Sequence, residues 1–306
     1  MGLTEQNDLL LPGPWTHRDL TANGVRLHVA EAGSGPLVVL LHGFPQLWWA
    51  WRHQIPALAD AGYRVAAVDL RGIGSSDKPP RPYDPVTTAG DIAGLVRALG
   101  QSQTYLVGHG LGGMVGWTMA ALHPGMVRGL AVLGAAHPRR WRHEIVSSHA
   151  QRKASAHIFG SQLPRLPEAR LSRDDAAEVE RLMRCWSGSW RDTTDFATAV
   201  AFYRRAMLVP QAAYGATEYS RWMVRSLLRP DGFTFLQTMR RRLDCPVLQL
   251  HGKLDTNVLV QTAQGSGAYV EADYRWQLLD DCGHFPAEEQ PVAVTAALLT
   301  WLASTG

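Results

Sequence analysis

The stretch "YLVGHGLGGMVGW", Tyr105–Trp117, decides how this chain is read. Apolar Tyr105, Leu106 and Val107 lead into glycines at 108, 110, 112 and 113, and then into a helical stretch rich in small residues. The pattern predicts a buried strand, a sharp turn and a helix. In a nucleophile elbow, G-x-Nu-x-G, the residue at the tip of such a turn attacks the substrate. Here the flanking glycines are Gly108 and Gly112, and the tip is Gly110, which has no side chain.

Working outward, five more apolar runs repeat the strand signal: Pro36–Gly43, Tyr63–Gly72, Val127–Ala135, Cys245–Asp255 and, more weakly, Tyr274–His284. Near-continuous runs suit strands buried on both faces of a parallel sheet. Helix-length segments separate them, such as Thr87–Leu99 and Gly113–His123. Strand–helix alternation predicts an α/β fold with a doubly wound, mostly parallel sheet. The alternation stops between Pro138 and Arg242, where Arg, Trp and Ala recur at helical spacing with no buried-strand run. We expect three segments: a first part of the core (1–137), a helical lid inserted between core strands (138–242) and a second part of the core (243–306).

The 306 residues suffice for one large domain with an insertion. A net charge of +3 is too small to suggest nucleic-acid binding. Arg139, Arg140, Arg142 and Arg152 crowd the helical stretch, as a solvated face or as a patch for anions. Cys185, Cys245 and Cys282 are scattered and form no metal-ligand spacing, which fits a reducing cytoplasm. The start "MGLTEQNDLLLPGPW" lacks the basic, long-apolar pattern of a secretory leader, and "MGLTEQ" lacks the Ser or Thr of a myristoylation signal. No apolar run reaches the roughly 18 residues that span a bilayer. The expectation is a cytoplasmic protein, monomer or homodimer, acting on a small molecule.

Ligands of open parallel sheets bind beyond the carboxyl ends of the strands, so the residues after each run carry the chemistry. After the first run, "HGFP" (42–45) can aim the Phe44 N–H at a developing negative charge, and the Leu111 N–H after the tip would be its partner. Asp255 follows the fifth run in "HGKLD", and His284 stands in "DCGHFPAEEQP" ahead of the last helix. The order tip, acid, histidine is that of an α/β-hydrolase triad. His284 is expected as general base, with Asp255 holding its tautomer. A different reading of "GHGLGG" is a phosphate cradle with Gly108, Gly110 and Gly113, although a dinucleotide fingerprint belongs to a first βα unit.

With these residues in hand, the chain resembles the α/β-hydrolase superfamily and, within it, the epoxide hydrolases. The matching motifs are "HGFP", "DLRGIGSSDKP" (69–79), "GHGLGG" (108–113), "HGKLD" (251–255) and "GHFPAEEQP" (283–291). The resemblance implies an aspartate nucleophile at position 110, an ester intermediate, a water activated by Asp255–His284, a vicinal diol as product and no metal or organic cofactor. It also implies two lid donors that polarise the epoxide oxygen. "AFYRRA" (201–206) offers Tyr203, and "HIFGSQLPRLPE" (157–168) offers His157 where tyrosine is usual. Pro45 and Trp48, with Trp49 and the tryptophans of the helical stretch, are expected to contact a fairly large apolar epoxide. Gly110 departs from the pattern at its central residue. Three explanations stay open: a disabled hydrolase, a ligand-binding pseudoenzyme, or a site where His284 activates water directly. A haloalkane dehalogenase-like hydrolase is the remaining alternative.

Overall fold

The computed structural model of the protein describes residues 6–305. The opening MGLTE, part of the segment read above as carrying neither a leader nor a myristoylation signal, lies outside them. Eight strands form one sheet: β1 (Thr16–Ala22), β2 (Val25–Ala32), β3 (Leu37–Leu41), β4 (Arg64–Val68), β5 (Thr104–His109), β6 (Val127–Leu133), β7 (Val247–Gly252) and β8 (Tyr274–Leu279). Their order is β1-β2-β4-β3-β5-β6-β7-β8. β4, β3, β5, β6, β7 and β8 run parallel, and they are the six apolar runs of the sequence. β1 and β2 add an antiparallel hairpin at one edge, turned through Asn23 (φ 50°) and Gly24 (φ 78°). Asn-Gly between extended segments is the sequence signal for such a turn.

Alternation along the strands divides the core in two. Val38 and Leu40 of β3 point into one cluster, while Val39 and Leu41 point into the other. The first cluster takes Ile55 and Leu58 of α1 (Gln54–Asp60) and Leu298 and Trp301 of the last helix, Pro291–Thr305. The second takes Ile92 and Leu95 of α2 (Pro85–Ala98) and Val115 and Trp117 of α3 (Leu111–Leu122). α2 begins as its sequence dictates: Asp84 accepts the Thr87 N–H at 2.9 Å, and Pro85 opens the first turn.

Between β6 and β7 the chain is helical. In order come α4 (Pro138–Ser147), α5 (His149–Ala154), α6 (Ala156–Gly160), α7 (Leu166–Trp186), α8 (Thr194–Met207), α9 (Ala212–Arg225) and α10 (Pro230–Thr238). α7 breaks at Arg173–Ala176, where Asp174, Asp175 and Ala176 take positive φ. Among the described residues, no helix is long and apolar enough to cross a membrane.

Candidate active site

The glycines of the opening stretch divide into two kinds. A Cβ at Gly108 would collide with the Gly112 carbonyl, and one at Gly112 with the Leu41 carbonyl. At Gly113 it would stand 2.8 Å from the Ala135 Cβ. These three are glycine because α3 packs directly on β3, β5 and β6. Gly110 differs. A Cβ there would lie 3.5 Å from His284 Nε2 and 3.6 Å from the Gly43 Cα, which is ordinary contact. Its constraint is the backbone alone, φ 51° and ψ −112°. Position 110 therefore has room for a side chain, and that side chain would face the histidine.

The histidine is held as a base requires. His284 Nδ1–H donates to Asp255 Oδ2 at 2.8 Å, and both residues are buried. Asp255 Oδ1 accepts the N–H groups of Asn257 (2.8 Å) and Val258 (2.9 Å). Burial works against the Asp255 charge, but His284, His251 and the Val258 N–H outweigh it and hold its pKa below the usual carboxylate range. Glu289 fixes the loop that carries His284 by accepting three backbone N–H groups: Gly188 and Gly283 at 2.8 Å and Phe285 at 2.9 Å.

A cavity lies over these groups. Its floor is formed by Gly43, Phe44, Pro45, Gly110, Leu111 and His284. The helical stretch supplies apolar walls that include Trp141, Met207, Trp222 and Phe235. The Leu111 N–H lies in the first turn of α3, where it has no acceptor within the helix. The next N–H, that of Gly112, is taken by the His42 carbonyl at 3.1 Å. His157 also lines the cavity, with its ring 4.7 Å from that of Trp186. Burial, and then the neighbouring His284, push the His157 pKa down to about 4, so its imidazole is neutral at pH 7.

Three expected residues are placed elsewhere. Tyr203 is fully buried away from the cavity, and its phenol donates to Glu288 Oε1 at 2.8 Å. Glu288 is buried too and also receives Arg52 and the Gln46 side-chain amide. Arg52 extends the network to Asp195 at 2.7 Å. Trp48 is core, not substrate contact. Its ring meets Trp15, His17 and His28, and its indole N–H donates to the Leu9 carbonyl at 3.2 Å. Trp49 packs on Phe202 and under the Arg52 guanidinium, so the aromatic walls come from Trp141 and Trp222.

Four site residues escaped the sequence reading: Gln46, Asn257, Glu288 and Glu289. Asn257 Nδ2 stands 3.1 Å from His284 Nε2. With Nδ1 protonated, Nε2 is the acceptor and the amide donates to it. Only the motif "GHFPAEEQP" flagged the two glutamates. His109, the strand residue before the tip, packs behind the floor, with Nε2–H donating to the His284 carbonyl at 2.6 Å and Nδ1 2.7 Å from Gln46 Oε1.

Two predictions follow from these placements. Tyr203→Phe should cost about 1–3 kcal/mol of stability by removing a buried donor, and leave epoxide turnover by a Gly110→Asp background unchanged. A fall in kcat of about a hundredfold or more would instead mark the phenol as a proton donor to substrate. The second prediction concerns acid. Burial lowers the pKa of His109 and His137 to about 3 and that of His157 to about 4, from 6.5. The unfolded chain then binds more protons below pH 6.5, so stability is full above that value and falls as pH drops towards 4. The slope reaches about 1.4 kcal/mol per pH unit for each histidine. Glu288 and Glu289, raised by burial, offset part of it. Melting temperature should drop between pH 7 and pH 5, and a flat profile would contradict the assignment.

Comparison with known proteins finds several epoxide hydrolases among the relatives. The family model for the alpha/beta hydrolase fold matches residues 36–291. Epoxide hydrolase A of Mycobacterium tuberculosis is 32% identical, covering 95% of this chain and 98% of its own length. Epoxide hydrolase 3 of Xenopus tropicalis is 30% identical over 92% of this chain and 75% of its own length. The crystal structure of epoxide hydrolase A from Mycobacterium thermoresistibile superposes with a TM-score of 0.79 at 28% identity, covering 94% of this chain and 98% of that one.

Proposed function

The chain belongs to the α/β-hydrolase family and within it to the epoxide hydrolases, and on that premise we propose that it opens apolar epoxides to vicinal diols through water activated by His284. The observation that supports this is the room at Gly110 beside an intact Asp255–His284 pair. Without a side chain at 110 no ester forms, so the nucleophile is the water itself. His284 Nε2 takes a proton from water, the hydroxide oxygen attacks an epoxide carbon, and the carbon–oxygen bond of the ring breaks. The released alkoxide accepts a hydrogen bond from the neutral His157 ring and regains the proton from His284. The Phe44 and Leu111 N–H groups hold oxygen charge on the floor side. Residues 138–242 act as the lid, its tryptophans and methionines keeping the cavity apolar.

A second reading, binding without turnover, is favoured by Asn257, whose amide occupies the Nε2 lone pair that the base needs. The test is product formation from a panel of aryl and alkyl epoxides by the chain and by its Gly110→Asp variant. Diol from either supports the hydrolase. An epoxide that raises the melting temperature yet is recovered intact with both proteins supports the binding reading instead.

A further inference from the structure

The space at Gly110 does more than admit water. It is bounded by the Gly43 Cα and by His284 Nε2, at 3.6 and 3.5 Å from where a Cβ would stand. That is the position of a side chain's first atom, and N–H donors stand beside it. Asn257 Nδ2 donates one N–H to His284 Nε2 at 3.1 Å, and its amide, on the cavity wall, carries a second N–H that can serve a ligand. The Leu111 N–H, without a helical acceptor, belongs to the same floor, as does Phe44. His284 is almost wholly buried, so a small anion here is withdrawn from bulk water. Among the described residues that line the cavity, Asp and Glu are absent, so no fixed carboxylate competes for these donors.

We propose that this socket binds a small external carboxylate, formate in size, which takes the place of the missing nucleophile. The proposal rests on the epoxide-opening reading above and extends it to an anion-dependent activity. A formate oxygen attacks the epoxide carbon, the ring carbon–oxygen bond breaks, and the alkoxide takes a proton from water. The product at this stage is the monoformate ester of the diol. His284 then removes a proton from a second water, whose oxygen attacks the formyl carbon. Formic acid leaves as the diol oxygen takes the proton held by His284, the acid gives its own proton to the hydroxide left by the first step, and the net reaction is epoxide plus water to diol. Azide fits the same socket but cannot be hydrolysed off, so its nitrogen stays on carbon and the product is a 1,2-azido alcohol.

The experiment uses the full chain with an aryl epoxide and formate, acetate, propionate or azide, with products separated by chromatography. Azido alcohol should form with saturable dependence on azide, and rates with carboxylates should fall from formate to propionate as the socket is outgrown. With 18O-labelled formate the label should appear in the diol, because the alkyl carbon–oxygen bond survives ester hydrolysis; direct water attack leaves the diol unlabelled. Rescue should stay at least about a hundredfold below Gly110→Asp, because an external anion forfeits the effective molarity of a fixed one. Gly110→Ala puts a methyl group in the socket and should abolish rescue, its fold being checked by circular dichroism. Asn257→Ala, which leaves the backbone turn alone, should raise the azide concentration for half-saturation about tenfold, the worth of one hydrogen bond to a charged group. Anion-independent rates, unlabelled diol, or rescue that survives Gly110→Ala each overturn the proposal. If Gly110→Asp makes diol while anions do nothing, the socket fails and the hydrolase reading stands; if neither acts, both fail.

Discussion

Gly110→Asp is expected to raise diol formation by roughly four to six orders of magnitude, the range lost when one member of a catalytic triad is removed. The expectation depends on geometry already in place. The new Cβ meets only His284 Nε2 and the Gly43 Cα at ordinary contact distances, so the first atom of the side chain fits where it stands. The carboxylate would attack the epoxide, and the dyad would then direct water at the ester. The same change should weaken the fold. An L-residue at φ 51° and ψ −112° is strained, at a cost of about 1–3 kcal/mol, or about 2–4 °C in melting temperature for each kcal/mol. Activity and stability should therefore move in opposite directions. Adding His284→Ala should stop the reaction at the ester, seen in intact-protein mass spectrometry as a gain equal to the epoxide's mass. A Gly110→Asp protein that folds, binds epoxide and makes no diol would sink the assignment of position 110.

Arg52→Ala should be the most damaging single change remote from the cavity, at about 3–5 kcal/mol, the cost of stranding one partner of a buried ion pair. Glu288 is fully buried, and Arg52 is its only cationic partner among the described residues. Burial pushes the Glu288 pKa up, while Arg52, Tyr203 and Gln46 pull it back. Removing the guanidinium leaves two neutral donors to hold a charge inside the core. The double variant Arg52→Ala/Glu288→Gln should therefore lose less than the sum of its singles, because the second change removes the charge that the first leaves unpaired. Thermal and urea melts of the three proteins measure this. Additive losses would mean that the pair does not act as a unit.

Much of this molecule was legible because its central strands are buried on both faces. Five of the six runs became parallel strands buried almost throughout, where there is little for a polar residue to do; the weaker sixth became β8, an edge strand with exposed positions. The hairpin β1–β2 was missed. Thr16–Ala22 is largely exposed, so its apolar content is low, although Asn23-Gly24 marked the turn. The helical stretch was legible as a break in rhythm, not as helices with stated ends. Asp255 and His284 were found because they follow strand ends in a known order, and the structure brings them to 2.8 Å. Tyr203 was misplaced because an amphipathic helix does not announce which neighbour takes its hydroxyl. That depended on Glu288, 85 residues away in sequence. Asn257 was missed for the opposite reason. It reads as an ordinary turn residue two positions after Asp255, and only the fold of the last loop sets its amide against His284.

Glu289 carries a mechanical consequence. Its carboxylate clasps Gly188, just after α7, and Gly283 and Phe285 on either side of His284. The same seam is stitched by the His284 N–H to the Trp186 carbonyl at 2.7 Å and by Ser189 to Asp281 at 2.6 Å. The end of α7 and the base are thus one rigid piece. That edge of the roof cannot lift without dragging the histidine off its aspartate. Elsewhere on the cavity wall, Arg142 ties α4 to the carbonyls of Ser226 and Leu227. The end of α7 and the His284–Asp255 pair therefore shift together or not at all.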